Sequence, residues 1–336
     1  MKAKLRNIFF LIGLVAIVVM LCNFEIPYQE VFQNIRRAGY WFPAIIALWF
    51  FIYMMNTRAW SIIISSFVTE RERRVPFWKL YKYTVTGFSL NYVTPVGLLG
   101  GEPYRIMEIA PRIGKETAVS SVILHSMMHI FSHFCFWGVS ILLYLGLYGS
   151  TMESGMMALM AVFAIFCVLG IYFFMKGYRY GLALRGLRLL LRIPFCRSWA
   201  EHFIAHNEAS LVRIDQQIAE LHRQSKRVFY ESLFWEFGAR LVGCLEVMFT
   251  LLILTEHVSY WDCVLIQAFT SLFANLFFFM PMQLGAREGG FALAIGGLAL
   301  SGAYGVYTSL IIRLREMVWI VVGILLMKIG NQKERN

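Results

Sequence analysis

The sequence predicts an all-α fold, a polytopic membrane bundle of about six full spans plus two oppositely oriented re-entrant helical hairpins. Three observations predict it. Hydrophobic residues make up 59% of the 336 residues and charged residues only 15%, against roughly 45–50% and about 25% in a soluble domain. The apolar residues are gathered into runs long enough to cross a bilayer, which takes about 20 residues per helix. Lys and Arg sit between those runs, where cytoplasmic loops are expected.

Full spans are placed at about 8–24, 41–66, 118–148, 155–175, 229–254 and 305–327. The N-terminal Lys2-Ala3-Lys4-Leu5-Arg6 and the run Ile8 to Cys22 resemble a signal peptide. No small-residue cleavage site follows, so an uncleaved first span is expected. With a cytoplasmic N-terminus, segments 1–7, 67–82, 103–117, 176–227 and the tail after Met327 lie inside, and both termini are cytoplasmic. These segments hold nearly all the loop charge, whereas 25–40, 149–154 and 255–262 contain only Arg36 and Arg37 as basic residues. That asymmetry orients the chain, as in a bacterial-type inner membrane.

Stretches 83–101 and 263–300 are interrupted by Gly and Pro and do not read as simple spans. The topology closes only if each leaves on the side from which it entered. Irregular backbone at membrane depth needs shielding by protein or a wet cavity, so both belong inside the bundle. They also resemble each other: Pro95 precedes Glu102 as Pro281 precedes Glu288, and downstream Gly114 precedes Ser121 as Gly302 precedes Ser309. One transmembrane domain, 1–336, is therefore expected. It would hold repeat 1 at about 41–148, repeat 2 at about 229–327 and an amphipathic cytoplasmic connector at 176–227. In that connector Arg185, Arg188 and Arg192 share a face suited to anionic headgroups, and Leu211, Ile214, Ile218 and Leu221 form an apolar stripe.

The net charge of +11 is spread over loops, and no nucleic-acid-binding motif accompanies it, so membrane lipid headgroups are the expected partners and nucleic acid is not. The six cysteines have no CxxC spacing and read as packing residues. Self-association into a homo-oligomer is compatible with the sequence.

The residues suited to substrate binding are those that place charge or bare backbone at membrane depth. In the first hairpin these are Gly100, Gly101, Glu102 and Arg105: glycines admit close approach, N–H groups at a helix start attract anions, and Arg binds phosphate bidentately. In the second they are Arg287 and Glu288, and Arg313 lies near mid-depth in the last span. An unpaired charge there costs about 2.5–3.5 kcal/mol on insertion scales. Glu236 and Arg240 are spaced to pair on one helix face, with Glu246 deeper. A purely structural ion-pair network is the competing reading of all these charges.

His125, His129 and His133 form a ladder on one face of the third full span. It reads as a packed polar stripe first. A proton or headgroup contact through His125, His129 and Glu236 comes second. A zinc site comes last, since no HExxH accompanies the ladder. No catalytic residue, metal or cofactor is assigned.

At Pro95, Gly100-Gly101-Glu102, Arg105, Gly114, Pro281, Gly285, Arg287-Glu288 and Arg313 the chain resembles the lysylphosphatidylglycerol synthase transmembrane-region family of flippase-like membrane proteins. In that family the membrane domain occurs alone or fused to a cytoplasmic aminoacyl-transferase domain. The chain stops at Asn336, so the synthase domain is expected to be absent. The resemblance then implies translocation of an anionic phospholipid or a lipid-linked substrate. The alternative is a membrane-embedded transferase, or an accessory subunit, acting on a polyprenyl-phosphate-linked sugar or an aminoacyl lipid.

Overall fold

The computed structural model describes residues 36–328 apart from 69, 94–99, 153, 181–187, 189–190, 192–193, 225, 277–285 and 298–301. In chain order the helices are α1 (Trp41–Phe67), α2 (Phe77–Val93), α3 (Gly101–Ile113), α4 (Lys115–Tyr148), α5 (Ser154–Tyr180), α6 (Pro194–Gln224), α7 (Lys226–Leu251), α8 (Tyr260–Leu276), α9 (Ala286–Gly297) and α10 (Gly302–Lys328). Three of them are long and apolar enough to cross a membrane: Trp41–Phe67, Lys115–Tyr148 and Ser154–Arg179. Helices α7 and α10 have the length, 26 and 27 residues, but carry charges inside their apolar runs. The expected span 8–24 lies outside the described residues.

The helices depart from expectation at the first broken stretch. The first broken stretch is longer than 83–101: its arms are α2 and α3, and α3 occupies the segment expected as an inside loop. Pro103 does not prevent this, because it falls in the first turn, where its missing N–H is not needed. The buried residues of α3, Gly101, Tyr104, Arg105, Ile109 and Ile113, repeat at three and four, which marks a helix with one packed face. The connector is likewise mostly helix, α6 being continuous from Pro194 to Gln224. Leu211, Ile214 and Ile218 are buried against α4 as the stripe predicts. Leu221 and the segment with Arg185 lie outside what is described.

Lipid tails are as apolar as the side chains, so helix association rests on close fit and interhelical hydrogen bonds. Small residues supply the fit. A Cβ on Gly101 would strike the Gly87 backbone, one on Gly305 the Ala292 backbone, and one on Gly323 the Ser89 hydroxyl. Between α2 and α10, Thr86 Oγ1 donates to Gly323 O at 3.0 Å and Ser89 Oγ to Trp319 O at 3.1 Å. The order of these contacts makes α2 and α10 antiparallel. Helices α1 and α7 are antiparallel by the same test: Arg58 meets Glu231 at 3.8 Å, and the Trp41 and Phe249 rings lie 5.1 Å apart.

The packing partners form pairs. Helix α1 packs on α2, α4, α7 and α10, and α7 packs on α8, α10, α1 and α4. Helix α2 packs on α3 and α10, and α8 on α9 and α4; α3 packs on α4 as α9 does on α10. Exchanging α1, α2, α3, α4 with α7, α8, α9, α10 leaves these partners unchanged. The residue register that lays Glu102 on Glu288 also lays Trp41 on Arg227, Phe77 on Cys263, Gly101 on Arg287 and Lys115 on Ser301. The corresponding helices begin at Lys226, Tyr260, Ala286 and Gly302. The same register carries the Thr86–Gly323 contact onto Leu272 and Trp137, and Trp137 Nε1 donates to neighbouring Ser271 at 2.9 Å. Helices α5 and α6 stand outside the exchange and pack on α4 and on each other, with smaller contacts to α7.

Candidate functional site

The interior of the bundle holds two clusters of buried charge joined by aromatic rings. The first begins where the end of α2 meets the start of α3. Asn91, near the end of α2, accepts from Gly101 N–H at 2.6 Å and donates to Glu102 Oε1 at 3.2 Å. The first N–H of α3, expected to attract an anion, is therefore already bonded. One turn on, the buried Arg105 lies 3.7 Å from Glu102 and donates to Thr84 O at 3.2 Å. Its Nε is buried without a hydrogen-bond partner. The guanidinium lies over Phe88 at 4.8 Å and faces Trp60 at 5.8 Å. Gly87 makes this possible, since a Cβ there would strike the guanidinium.

Those two rings lead to the histidine ladder. Trp60 stacks on His125 at 5.7 Å and Phe88 lies 5.8 Å from His129. Both histidines face one carboxylate from α7: His129 Nδ1 is 2.8 Å from Glu236 Oε2, and His125 Nδ1 is 3.5 Å from Oε1. Arg240 does not pair with Glu236 as the helical spacing suggested. It donates from Nε to Ser132 Oγ at 2.7 Å, from one terminal nitrogen to His129 O at 2.5 Å, and from the other to His133 Nδ1 at 3.0 Å. Among the described residues this guanidinium has only neutral hydrogen-bond partners, and Glu236 acts on its charge from a distance without contact. The α4–α7 contact brings these partners closer than the carboxylate one turn back on α7.

The second cluster lies where α10 meets α7 and α1. Arg315 donates to both oxygens of Glu246, at 2.7 and 2.9 Å, and lies 3.9 Å from Glu316. The Trp49 ring covers it at 3.7 Å, a buried cation–π contact worth about 2 kcal/mol. Rings connect the clusters: Trp49 lies 5.4 Å from Tyr53, and Tyr53 lies 5.5 Å from Phe88.

The structure thus brings Gly100, Gly101, Glu102, Arg105, His125, His129, Glu236 and Arg240 into one neighbourhood. Arg313 is buried on α10 near the second cluster, at 5% exposure. The side chains of Arg287 and Glu288 lie outside the described residues, though α9 carries both positions. Sequence reasoning missed Trp60, Phe88, Ser132, Tyr53 and Trp49, and passed over Arg315 for Arg313. Aromatic residues are 16% of the chain, so a Trp in an apolar helix gives no signal. Arg315 was detectable, since it too is an arginine within the last span. No group of three or more His, Cys, Asp or Glu able to hold a metal ion occurs among the described residues.

The arrangement suits binding of an anionic group from within the bundle, since Arg105 and Arg240 both donate hydrogen bonds to neutral groups there. No curated protein and no solved structure matches the chain. The family model of the lysylphosphatidylglycerol synthase transmembrane region matches residues 8–324, nearly the whole length. The buried charge, the helical membrane architecture and that match agree: the chain belongs to the lysylphosphatidylglycerol synthase transmembrane-region family, which is linked to lipid-related membrane proteins.

Proposed function

We propose that this protein is a flippase that moves an anionic phospholipid or a lipid-linked phosphate across a bacterial-type inner membrane. The observation that carries the reading is Arg240, half-buried between α4 and α7 with Ser132, His133 and the His129 carbonyl as its hydrogen-bond partners. A guanidinium inside the bundle with no carboxylate in direct contact keeps donor capacity that an incoming anion can use. A lipid phosphate supplies that anion, and Arg105 offers a second guanidinium across Phe88 and Trp60.

The exchange of packing partners supports an inverted repeat. Repeat 1 comprises α1 to α4 and repeat 2 comprises α7 to α10, with α2–α3 and α8–α9 as the two re-entrant hairpins. Antiparallel packing of α1 on α7 fits opposite insertion of the two units. In such proteins alternating access follows from rocking one repeat against the other around a site near the midplane. Both charge clusters lie on contacts of this kind, α4 with α7 and α10 with α1.

The test is headgroup accessibility in proteoliposomes containing a labelled anionic phospholipid. Wild-type protein is expected to equilibrate the label between leaflets, and Arg240→Gln to slow it at least tenfold. Empty-vesicle rates for wild type with every anionic lipid would end the proposal. A chemically altered lipid would instead favour the transferase reading.

A further inference from the structure

The α4–α7 junction contains a group that the binding of a phosphate does not by itself require. Two histidines of one helix face a single buried carboxylate of another, and their environments differ. Glu236 and His125 are almost fully enclosed, with side-chain exposures of 1% and 2%, whereas His129 keeps 29%. His129 is the point at which a proton can enter.

The hydrogen bonds restrict where that proton can reside. Arginine only donates, so the contact from Arg240 makes His133 Nδ1 an acceptor and leaves its proton on Nε2. Protonating His133 would set two donors against each other, so that ring is held neutral. His129 is arranged oppositely: its Nδ1 hydrogen points to Glu236 Oε2, leaving Nε2 with a lone pair. A proton taken from water at Nε2 yields an imidazolium that keeps the bond to the carboxylate. The contact becomes an ion pair, and nothing has to be displaced.

The charged and titratable groups facing this pair come from each neighbouring element. On α4 they are His125 and His133, and on α7 Arg240. From α3 come Arg105 and Glu102, separated from the histidines by Trp60 of α1 and Phe88 of α2. Arg315, Glu246 and Glu316 form the separate cluster under Trp49. With His129 neutral, Arg105 and Arg240 balance Glu102 and Glu236. One proton adds a positive charge to the enclosed site, and one phosphate monoanion restores balance.

We propose that His129 and Glu236 form a proton-binding site, and that a proton is taken up together with a phosphate-bearing anion held by Arg240 and Arg105. This rests on the anion-binding reading above and adds the proton as coupling ion. Linkage is reciprocal: if the anion favours the protonated site, lowering pH must strengthen anion binding, by up to about tenfold per pH unit for one proton.

The experiment uses the detergent-purified full chain and a short-chain phosphatidylglycerol. Affinity is measured across pH 5–8, and proton uptake on binding is followed with an indicator dye in weak buffer. Wild type is expected to take up about one proton per lipid bound. His129→Gln and Glu236→Gln are expected to bind with an affinity that does not vary with pH. Binding with a flat pH dependence and no uptake overturns the proposal while leaving the anion site standing, and this arm needs no variant. Variants that keep the wild-type slope also overturn it. An absence of binding at every pH overturns both readings. If inorganic phosphate gives the same slope and uptake, the proton–phosphate site stands and the lipid assignment falls.

Discussion

His129 on α4 and Glu236 on α7 meet at 2.8 Å between two long helices, and the other oxygen of the same carboxylate faces His125 at 3.5 Å. One carboxylate thus spans a full turn of α4. Replacing it with Ala strands the His129 Nδ1 that is hydrogen-bonded to it, at a cost of about 1–3 kcal/mol for a group left unsatisfied. Glu236→Ala is expected to lower the midpoint of thermal unfolding in detergent, and Glu236→Gln to lower it less, because the amide oxygen still accepts from His129. Equal midpoints for the two variants would show that the carboxylate position has no structural part.

Arg315 and Glu246 form the most enclosed ion pair described, with side-chain exposures of 1% and 5%. Removing one partner strands the other, at about 3–5 kcal/mol. Arg315→Met alone should therefore be strongly destabilising. Arg315→Met with Glu246→Met should recover most of the loss. Denaturation of both variants in mixed micelles measures this, and additive losses would contradict the pairing.

Gly87 abuts the Arg105 guanidinium. Gly87→Ala should push Arg105 off the Thr84 carbonyl and disturb the Phe88 stack, slowing headgroup movement several-fold. Adding Gly87→Ala to Arg105→Ala should have little further effect, because the obstruction then has nothing to displace. A double-mutant cycle in proteoliposomes reads the coupling, and independent effects would remove Gly87 from the site.

The proposed opposite insertion of α1–α4 and α7–α10 has a direct readout. Glu72 lies in the loop before α2, and His257 in the loop before α8; both are exposed. Glu72→Cys should resist a membrane-impermeant maleimide in intact cells and react after permeabilisation, whereas His257→Cys should react at once. Labelling of both from the same side would end the inverted arrangement.

Helix α6 is held to α4 by the Leu211, Ile214 and Ile218 stripe, by Arg213 with Glu116 at 3.4 Å and by Ser120 with Gln217 at 2.7 Å. Ile218→Asp puts a charge into a fully buried position, so α6 should detach and become open to limited proteolysis. Arg213→Ala, which removes only a half-exposed ion pair worth about 0–1 kcal/mol, should leave it protected.

Much of the architecture was legible before any helix was placed. Runs such as 41–66 and 118–148 can satisfy their backbone in lipid only as helices, and helices stand there. The α3 helix was less legible, because Arg112 reads as loop charge although the other face of the helix is packed. Leu211, Ile214 and Ile218 were read correctly because a stripe at helical spacing has one economical use.

The amino-acid order by itself determined that this is a helical membrane protein and that arginine, glutamate and histidine lie within its apolar segments. It could not say which of them meet. Glu236 and Arg240 share a face of α7, and periodicity alone suggested that they pair. Only the packing of α7 on α4 decided otherwise, by presenting His129 to the one and Ser132, His133 and a carbonyl to the other. Helical spacing fixes the side a residue faces. The distance to a partner depends on how far neighbouring backbones approach, and here Gly87, Gly101 and Gly323 set that approach.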